Sequence, residues 1–352
     1  MSTEIPKFND VFAEMSGPGG LSQATVRRVF DAMFAGAWAP ASIAGFLISL
    51  RHTGNETAGV IAAAASAMRA AMVPVAHEFP ILLDTCGTGG DGSASLNLST
   101  GAALIASAAG VPVAKHGNRA ATSRAGSADV LEALGIPLDV AGARQAEVLA
   151  EAQIAFLFAQ AHHPAMRHVM PVRRELGVRT LFNCLGPLAN PAGATHQLVG
   201  AFDDKIRPEL AGALAQLGAT RAWVVRSEDG LDEMSPFAAT RVSEVAGGRV
   251  REFSLTPEDF GLPRSPAGAI DGADPAHNAR VLEDILKNQA HPARDAVLLN
   301  AAAALVVALD IEPQAATARA RAALESGAAA ESLQRLRRAA NARRTEATGK
   351  VG

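Results

Sequence analysis

Asp84-Thr-Cys-Gly-Thr-Gly-Gly-Asp-Gly92, followed by Asn97-Leu-Ser-Thr100 and then Lys115-His-Gly-Asn-Arg-Ala120, is the stretch that decides the fold. A short apolar segment, Ile81–Asp84, runs into the glycines, and an apolar segment of helical spacing, Ser99–Ala109, follows them. Strand, glycine turn and helix start in series describe one βα unit. Glycine tolerates positive φ and lets backbone N–H groups approach an anion closely. Ser99 or Thr100 falls where a helix N-terminus offers unpaired N–H groups and the positive end of its dipole. Lys115 and Arg119 arrive one crossover later with full charges. Alone, the glycine loop is a structural turn as readily as a ligand site. The series of strand, helix start and basic segment favours an anion site.

The residues exclude two familiar phosphate loops. A Walker loop needs Gly-Lys-Ser/Thr at its end, which is absent. Gly87-Thr-Gly-Gly-Asp-Gly92 satisfies the glycine spacing of a dinucleotide fingerprint. However, Asp91 would oppose a pyrophosphate directly unless a cation or a ribose hydroxyl lay between. The acid that fingerprint requires about twenty residues on is also missing.

Outward from this stretch the texture is of two kinds. Residues 21–72 read as all helix, with Pro40 at a first-turn position. Pro74 and Pro80 bracket a boundary, so a helical unit over 1–78 and an α/β unit over 79–352 are expected. Beyond Pro80, strands are expected at Val111–Ala114, Ile154–Phe158, Gln197–Phe202 and Ala222–Val225, and helices starting at Ser127 (as cap), over Arg144–Ala152 and over Pro208–Leu217. This alternation implies an α/β fold with a mostly parallel sheet flanked by helices. Val242–Val245 and Val250–Phe253 flank Gly247-Gly248 as an antiparallel hairpin. Ala296–Leu309, interrupted by Asn300, reads as a buried helix too short to span a bilayer. Arg335, Arg337, Arg338, Arg343 and Arg344 read as a solvated helix face.

Composition narrows the function. The 352 residues suit two domains, and a net charge of −3 without a basic face argues against a nucleic-acid binder. Two cysteines, Cys86 and Cys184, with no CxxC exclude a disulfide scaffold or Cys-rich zinc site and suit a reducing cytoplasm. Cys86 is expected to be a small buried side chain. No signal peptide or membrane segment is expected. With no tyrosine, no mechanism can use a phenol. Asp229-Gly-Leu-Asp-Glu233 follows the strand Ala222–Val225, and the adjacent Asp232 and Glu233 are hard oxygen ligands suited to Mg²⁺. Alone, the pair reads as a solvated acidic turn; beside an anion loop, metal is favoured.

Together these residues resemble the anthranilate phosphoribosyltransferase family. The Gly87–Asp91 loop, Asn97–Thr100, Lys115–Arg119, Ser123, Gly126-Ser-Ala-Asp129, His163-Pro-Ala-Met-Arg-His168, Val172-Arg173, Leu185-Gly-Pro-Leu-Ala-Asn-Pro191 and Gly230–Glu233 stand in family order over about residues 20–340. The resemblance implies a small helical domain, joined by helices near 163–190 and serving dimerisation, and a larger α/β domain with the active site at the hinge. It implies transfer of the phosphoribosyl group of phosphoribosyl pyrophosphate to the amine of anthranilate, with Mg²⁺, two ions per subunit, in a cytoplasmic homodimer of the tryptophan pathway. Membrane or nucleic-acid partners are not implied. By position, Gly87, Thr88, Gly90, Asp91, Ser95, Asn97, Ser99, Thr100, Lys115, Asn118, Arg119, Ser123 and Ser127 would serve the donor. Gly87, Asn118, His116, His163 and Arg173 would face anthranilate, with Arg173 pairing its carboxylate. Ser99, Asp232 and Glu233 would carry metal.

The reaction needs no protein nucleophile, since the acceptor's own amine attacks; His116 and His163 are the candidates for acid–base help, and either can instead bond locally or stack on the aromatic ring. Three departures from the family pattern stand out: Ser95 where Thr is common, Gln160 where Pro is common, and the longer Arg51–Thr57 segment. A pyrimidine-nucleoside phosphorylase has a similar fold but carries Lys-x-Ser-Gly-Arg in place of Lys115–Arg119. A nucleic-acid-binding paralogue would be basic and lack Arg173 or the acid pair.

Overall fold

The computed structural model describes residues 5–90, 92–120, 124–140 and 142–342. Asp91, Ser123, Arg343 and Arg344 therefore lie outside the described residues.

Four helices open the chain: α1 Phe8–Ser16, α2 Gln23–Phe34, α3 Pro40–His52 and α4 Ala58–Ala70. Ser22 caps α2 by accepting the Thr25 N–H, and Pro40 starts α3 where a missing N–H costs nothing. The α/β part then runs β1 Leu83–Gly87, α5 Leu98–Ala108, β2 Val113–Gly117, α6 Ser127–Ala133, α7 Gly142–Ala152 and β3 Ile154–Phe158. Next, α8 Ala159–His162, α9 Met170–Leu176 and α10 Phe182–Leu188 leave the sheet. The chain returns as β4 His196–Gly200, α11 Ile206–Gln216 and β5 Arg221–Ser227. A hairpin, β6 Thr240–Ala246 and β7 Arg249–Leu255, completes the sheet. Four helices end the described chain: α12 Pro275–Leu286, α13 Arg294–Leu309, α14 Pro313–Glu325 and α15 Ala328–Asn341.

The seven strands lie in the order β3-β2-β1-β4-β5-β6-β7, parallel through β5 and antiparallel beyond it. This is the mostly parallel sheet with an antiparallel addition that the strand–helix alternation implies. Gly247 and Gly248 both adopt positive φ, 55° and 74°, as the tight turn between twisted strands requires. The chain steps from β1 outward to β3, then returns on the other side of β1 as β4. The order therefore reverses between β1 and β4, where an open α/β sheet forms a crevice at the strands' carboxyl ends. The register pairs Gly87 with Gly200 at that point.

Two apolar cores form. One packs α5–α7 and α12–α15 against β1–β3 and the sheet interior. The other gathers α1–α4 with α9 and α10 and extends through α11 to Val199, Val224 and Val245 on the sheet. Helix α13 is buried nearly throughout, as its composition implies, and no single helix among the described residues is long and apolar enough to cross a membrane.

Several expectations shift in detail. β2 extends to Gly117, so Lys115 and His116 lie in a strand rather than a loop, and both are buried. Ser127 does not cap α6: Gly126 is the capping residue, and the Asp129 carboxylate accepts its N–H. Arg337 is not a freely solvated charge, because it donates to Leu134 O and pairs with Glu283. Cys86 is half-buried rather than fully buried. Burial and the neighbouring Asp84 push its thiol well above 9.0, so it is unreactive.

Candidate active site at the strand-order reversal

The loop after β1 is built around its acidic neighbours. Gly89 N donates to Asp232 Oδ2 at 3.2 Å, and a Cβ on Gly87 would stand 2.9 Å from the same oxygen. Gly200 has no room for a Cβ, because the backbone carbonyl of Asp232 occupies that space. Paired glycines at the ends of β1 and β4 thus let the Asp232–Glu233 segment lie on the strand ends. Glu233 Oε1 accepts the Ser99 N–H at 3.3 Å, so one N–H of the α5 start already holds a carboxylate. The segment is fixed from beneath by Asn300 of α13. Its Oδ1 accepts Met234 N and its Nδ2 donates to Met234 O, both at 3.0 Å. The polar interruption in the apolar run is therefore a clamp on the residue after the acid pair.

The other residues assigned to the donor side divide. Thr88 is buried; its N donates to Gly200 O and its Oγ1 accepts Phe202 N, both at 2.9 Å. Gly90 adopts φ +79°, which only glycine takes without strain. Ser95 pairs with Ser93 at 3.0 Å and bridges to Asp271. Asn97 spends its amide on Ala125 O (3.0 Å) and Asn278 (3.1 Å), tying the helix start to the loop before α6. Thr100 is 1% exposed and its hydroxyl has no partner among the described residues. Lys115 reaches inward, donating to Thr85 O and to Ser99 Oγ (3.1 Å). Burial lowers its pKa, against the opposing pull of Asp84. The Ser99 hydroxyl assigned to metal is thus held by an ammonium.

Arg119 is the clearest redirection. Its guanidinium pairs with Asp129 and Glu132, both at 2.9 Å, and these partners raise its pKa. It faces a 660 Å³ cavity with Glu132, Phe158 and Gln160, which no residue of the Gly87–Ser99 loop lines. Its charge is spent on α6. Ser127 packs its Oγ where a Cβ on Gly117 would stand and donates to Asn118 O at 3.4 Å.

The residues expected on the acceptor side gather around α10. His116 Nδ1 lies 2.9 Å from Gly186 O, which can only accept, so Nδ1 carries the proton. Its Nε2 then accepts from His163 Nε2 at 3.3 Å. Burial, with the neighbouring His163, pushes His116 down to about 3; burial, with His162, pushes His163 down to about 4. Both rings are neutral at pH 7, and both nitrogens of His116 are engaged. Asn118 Oδ1 accepts Arg119 N (2.8 Å) and Gln160 Nε2 (3.4 Å), so the Gln that replaces Pro holds the Asn. Arg173 of α9 lies with its Cζ 5.4 Å from the Phe182 ring centre and an Nη1 3.6 Å from Met170 Sδ. Phe182 and Gly186 are one helical turn apart, so Arg173 and His116 meet the same face of α10. No carboxylate among the described residues pairs with Arg173.

Sequence reasoning passed over three groups. Asp84, fully buried, accepts His116 N (3.0 Å) and Asn190 Nδ2 (2.8 Å); burial raises its pKa, against the pull of Lys115. Asn190 also donates to Ala114 O at 2.7 Å, binding the segment after α10 to both strands. Both residues were quoted as motif letters, but a sequence does not tell a buried bond from a surface one. Arg179, between α9 and α10, lies against Gly90, and no local signal marks it.

Among the described residues no group of three or more His, Cys, Asp or Glu could cage a metal. Asp232 and Glu233 supply two carboxylates, which fits Mg²⁺, an ion that binds through one or two carboxylates, water and substrate phosphate.

Residues 15–72 match the glycosyl transferase family, helical bundle domain, and residues 80–330 match the glycosyl transferase family, a/b domain. The anthranilate phosphoribosyltransferase of Rhodospirillum rubrum is 49% identical over 341 residues, covering 96% of this chain and 97% of that protein. The anthranilate phosphoribosyltransferase crystal structure from Thermus thermophilus superimposes with a TM-score of 0.88 at 44% identity, over 95% of this chain and 98% of the other. The Saccharomyces cerevisiae enzyme, solved in complex with PRPP and Mg, gives a TM-score of 0.88 at 28% identity, with the same coverage. The same yeast enzyme in complex with 4-fluoroanthranilate gives 0.86 at 26%. With the sheet order, the paired strand-end glycines and these relatives in agreement, the chain belongs to the anthranilate phosphoribosyltransferase family.

Proposed function

We propose that this chain transfers the 5-phosphoribosyl group of phosphoribosyl pyrophosphate to the amine of anthranilate, giving N-(5-phosphoribosyl)anthranilate and pyrophosphate for tryptophan synthesis. The observation that carries the reading is the juxtaposition at the strand-order reversal. There the glycine loop ending β1 is hydrogen-bonded to Asp232, while His116 and Arg173 meet one face of α10.

Breaking the sugar C1–O bond develops positive charge on the ribose and negative charge on the leaving pyrophosphate. The protein's task is to neutralise the second and place the amine in line with the first. Gly87, Thr88, Gly90 and Asp91 form the donor loop in this reading, and Ser95, Asn97, Ser99, Thr100, Lys115, Asn118 and Ser127 shape its walls. Asp232 and Glu233 would hold Mg²⁺, two ions per subunit, which when bound neutralises the leaving pyrophosphate. Arg173 grips the anthranilate carboxylate through two parallel bonds, a geometry that the planar guanidinium offers and an ammonium does not. The neutral His116–His163 pair and Asn118 wall the acceptor without removing its proton. An aromatic amine is neutral at pH 7 and needs no strong base.

The helical unit 1–78 serves as cleft wall and dimer surface in a cytoplasmic homodimer. In support, Ile5 and Phe12 remain 51% and 44% exposed on that side of the protein. Loss of anthranilate fluorescence in the presence of phosphoribosyl pyrophosphate and Mg²⁺ tests the reaction; no loss, with the product absent by mass, refutes it.

A further inference from the structure

We propose that Arg179 is a donor-binding residue whose guanidinium meets the leaving pyrophosphate beside Gly90. The inference rests on the reading of Gly87–Gly90 as the donor loop.

The first support is position. A Cβ on Gly90 would stand 2.9 Å from Arg179 Nη2, 3.1 Å from Nε and 3.3 Å from Cζ. The two nitrogens are nearer than Cζ, so the guanidinium turns its Nε–Nη2 edge toward the loop. Its Cζ also lies 4.7 Å from the Phe202 ring centre, a cation–π contact.

The second is availability. Arginine carries five N–H donors. Among the described residues no hydrogen bond or ion pair uses those of the Arg179 side chain. Arg119, Arg207, Arg221, Arg241 and Arg337 are all paired with carboxylates. Lys115 is turned inward on Thr85 and Ser99. The two cations that stand near the loop in sequence are thus committed elsewhere, and Arg179 takes their place in space.

The third is that its seat is built. Arg51 Nη1 donates to Arg179 O at 2.7 Å, and the next residue's N donates to Asn183 Oδ1 at 3.1 Å. Phe202, on which the guanidinium stacks, donates its N–H to Thr88 of the loop itself. The loop is therefore flanked by an acid at Gly87–Gly89, suited to metal, and by a guanidinium at Gly90, suited to phosphate oxygens. Arg51 opens the Arg51–Thr57 segment and ties it to the backbone of Arg179.

The test compares wild type with Arg179→Gln, Arg179→Lys and Asp232→Asn. It measures inhibition by inorganic pyrophosphate with Mg²⁺, both KM values and the melting temperature. Arg179→Gln is expected to raise the pyrophosphate Ki and the donor KM about tenfold or more, with the anthranilate KM changed less than about twofold. Arg179→Lys should recover part of the loss. An unchanged pyrophosphate Ki in Arg179→Gln, with Asp232→Asn raised, overturns the inference and leaves the donor loop standing. A Ki unchanged in both removes the donor-loop reading as well. Should Arg179→Gln not fold, Phe202→Leu keeps the cation and removes its stacking partner. A rise of about threefold or more is then expected, and an unchanged Ki overturns the inference.

Discussion

Replacing Arg173 with alanine tests the acceptor half of the site most directly. The guanidinium is half-buried on α9, stacked on Phe182 and touching Met170 Sδ, with no carboxylate partner among the described residues. Burial lowers its pKa, yet arginine remains charged at neutral pH. A buried cation without an anion is costly, and an incoming carboxylate relieves that cost through two parallel bonds. At roughly 1.5 kcal/mol for each charge-assisted bond, the pair is worth about 3 kcal/mol, or some 150-fold in the anthranilate KM. Arg173→Lys keeps the charge and one bond, so a rise of about tenfold is expected. Anthranilate fluorescence followed at saturating donor reads both. Aniline, which lacks the carboxylate, is the internal control, since its rate should change little and the wild-type preference for anthranilate should collapse in Arg173→Ala. An equal rise in the donor KM, or a preserved preference over aniline, would refute the assignment.

Three further outcomes are expected. Asp232→Asn with Glu233→Gln should raise the Mg²⁺ concentration for half-maximal activity about tenfold or more, two carboxylates being the protein's share of the metal site; an unchanged metal titration removes the pair from that role. Asn300→Ala leaves Met234 N and O unpaired in the core and should cost about 2–4 kcal/mol in urea unfolding while also weakening Mg²⁺ activation; a loss below about 1 kcal/mol means water replaces the clamp. His116 and His163 have folded pKa values of about 3 and 4, below the ordinary 6.5, so the folded state prefers them neutral. Their contribution to stability is full above pH 6.5 and lost as pH falls toward 3. His116→Gln should flatten that part of the stability curve and leave the pH dependence of kcat/KM between 6 and 8 unaltered; an inflection near 6.5 that the substitution abolishes would restore His116 as a proton carrier.

What was legible in the sequence was local. Strand, glycine turn and helix start are adjacent in the chain, and so are the turn glycines of the β6–β7 hairpin, so periodicity and turn chemistry identified both. The alternation of strands and helices also implied a mostly parallel sheet. It could not order the strands, because β4 is as able to follow β3 at the sheet edge as to return beside β1. That one choice pairs Gly87 with Gly200 and lays Asp232 across both, which converts two separate motifs into one crevice.

Charge shows the same limit more sharply. Lys115 and Arg119 are the first cations after the loop in sequence, and that order selects them. Side-chain direction, however, is set by strand alternation and by competing acids. Lys115 points into the sheet, and Arg119 finds Asp129 and Glu132, a turn apart on α6. Proximity in the chain therefore places a charge near a site without aiming it there. The guanidinium that lies on Gly90 comes from the α9–α10 connection, between the helix that carries Arg173 and the helix that carries the Gly186 carbonyl. A donor bound against Arg179 and an acceptor bound against Arg173 would both load the short stretch from α9 into the α9–α10 connection, so the two substrates share a support although their binding residues lie on separate elements.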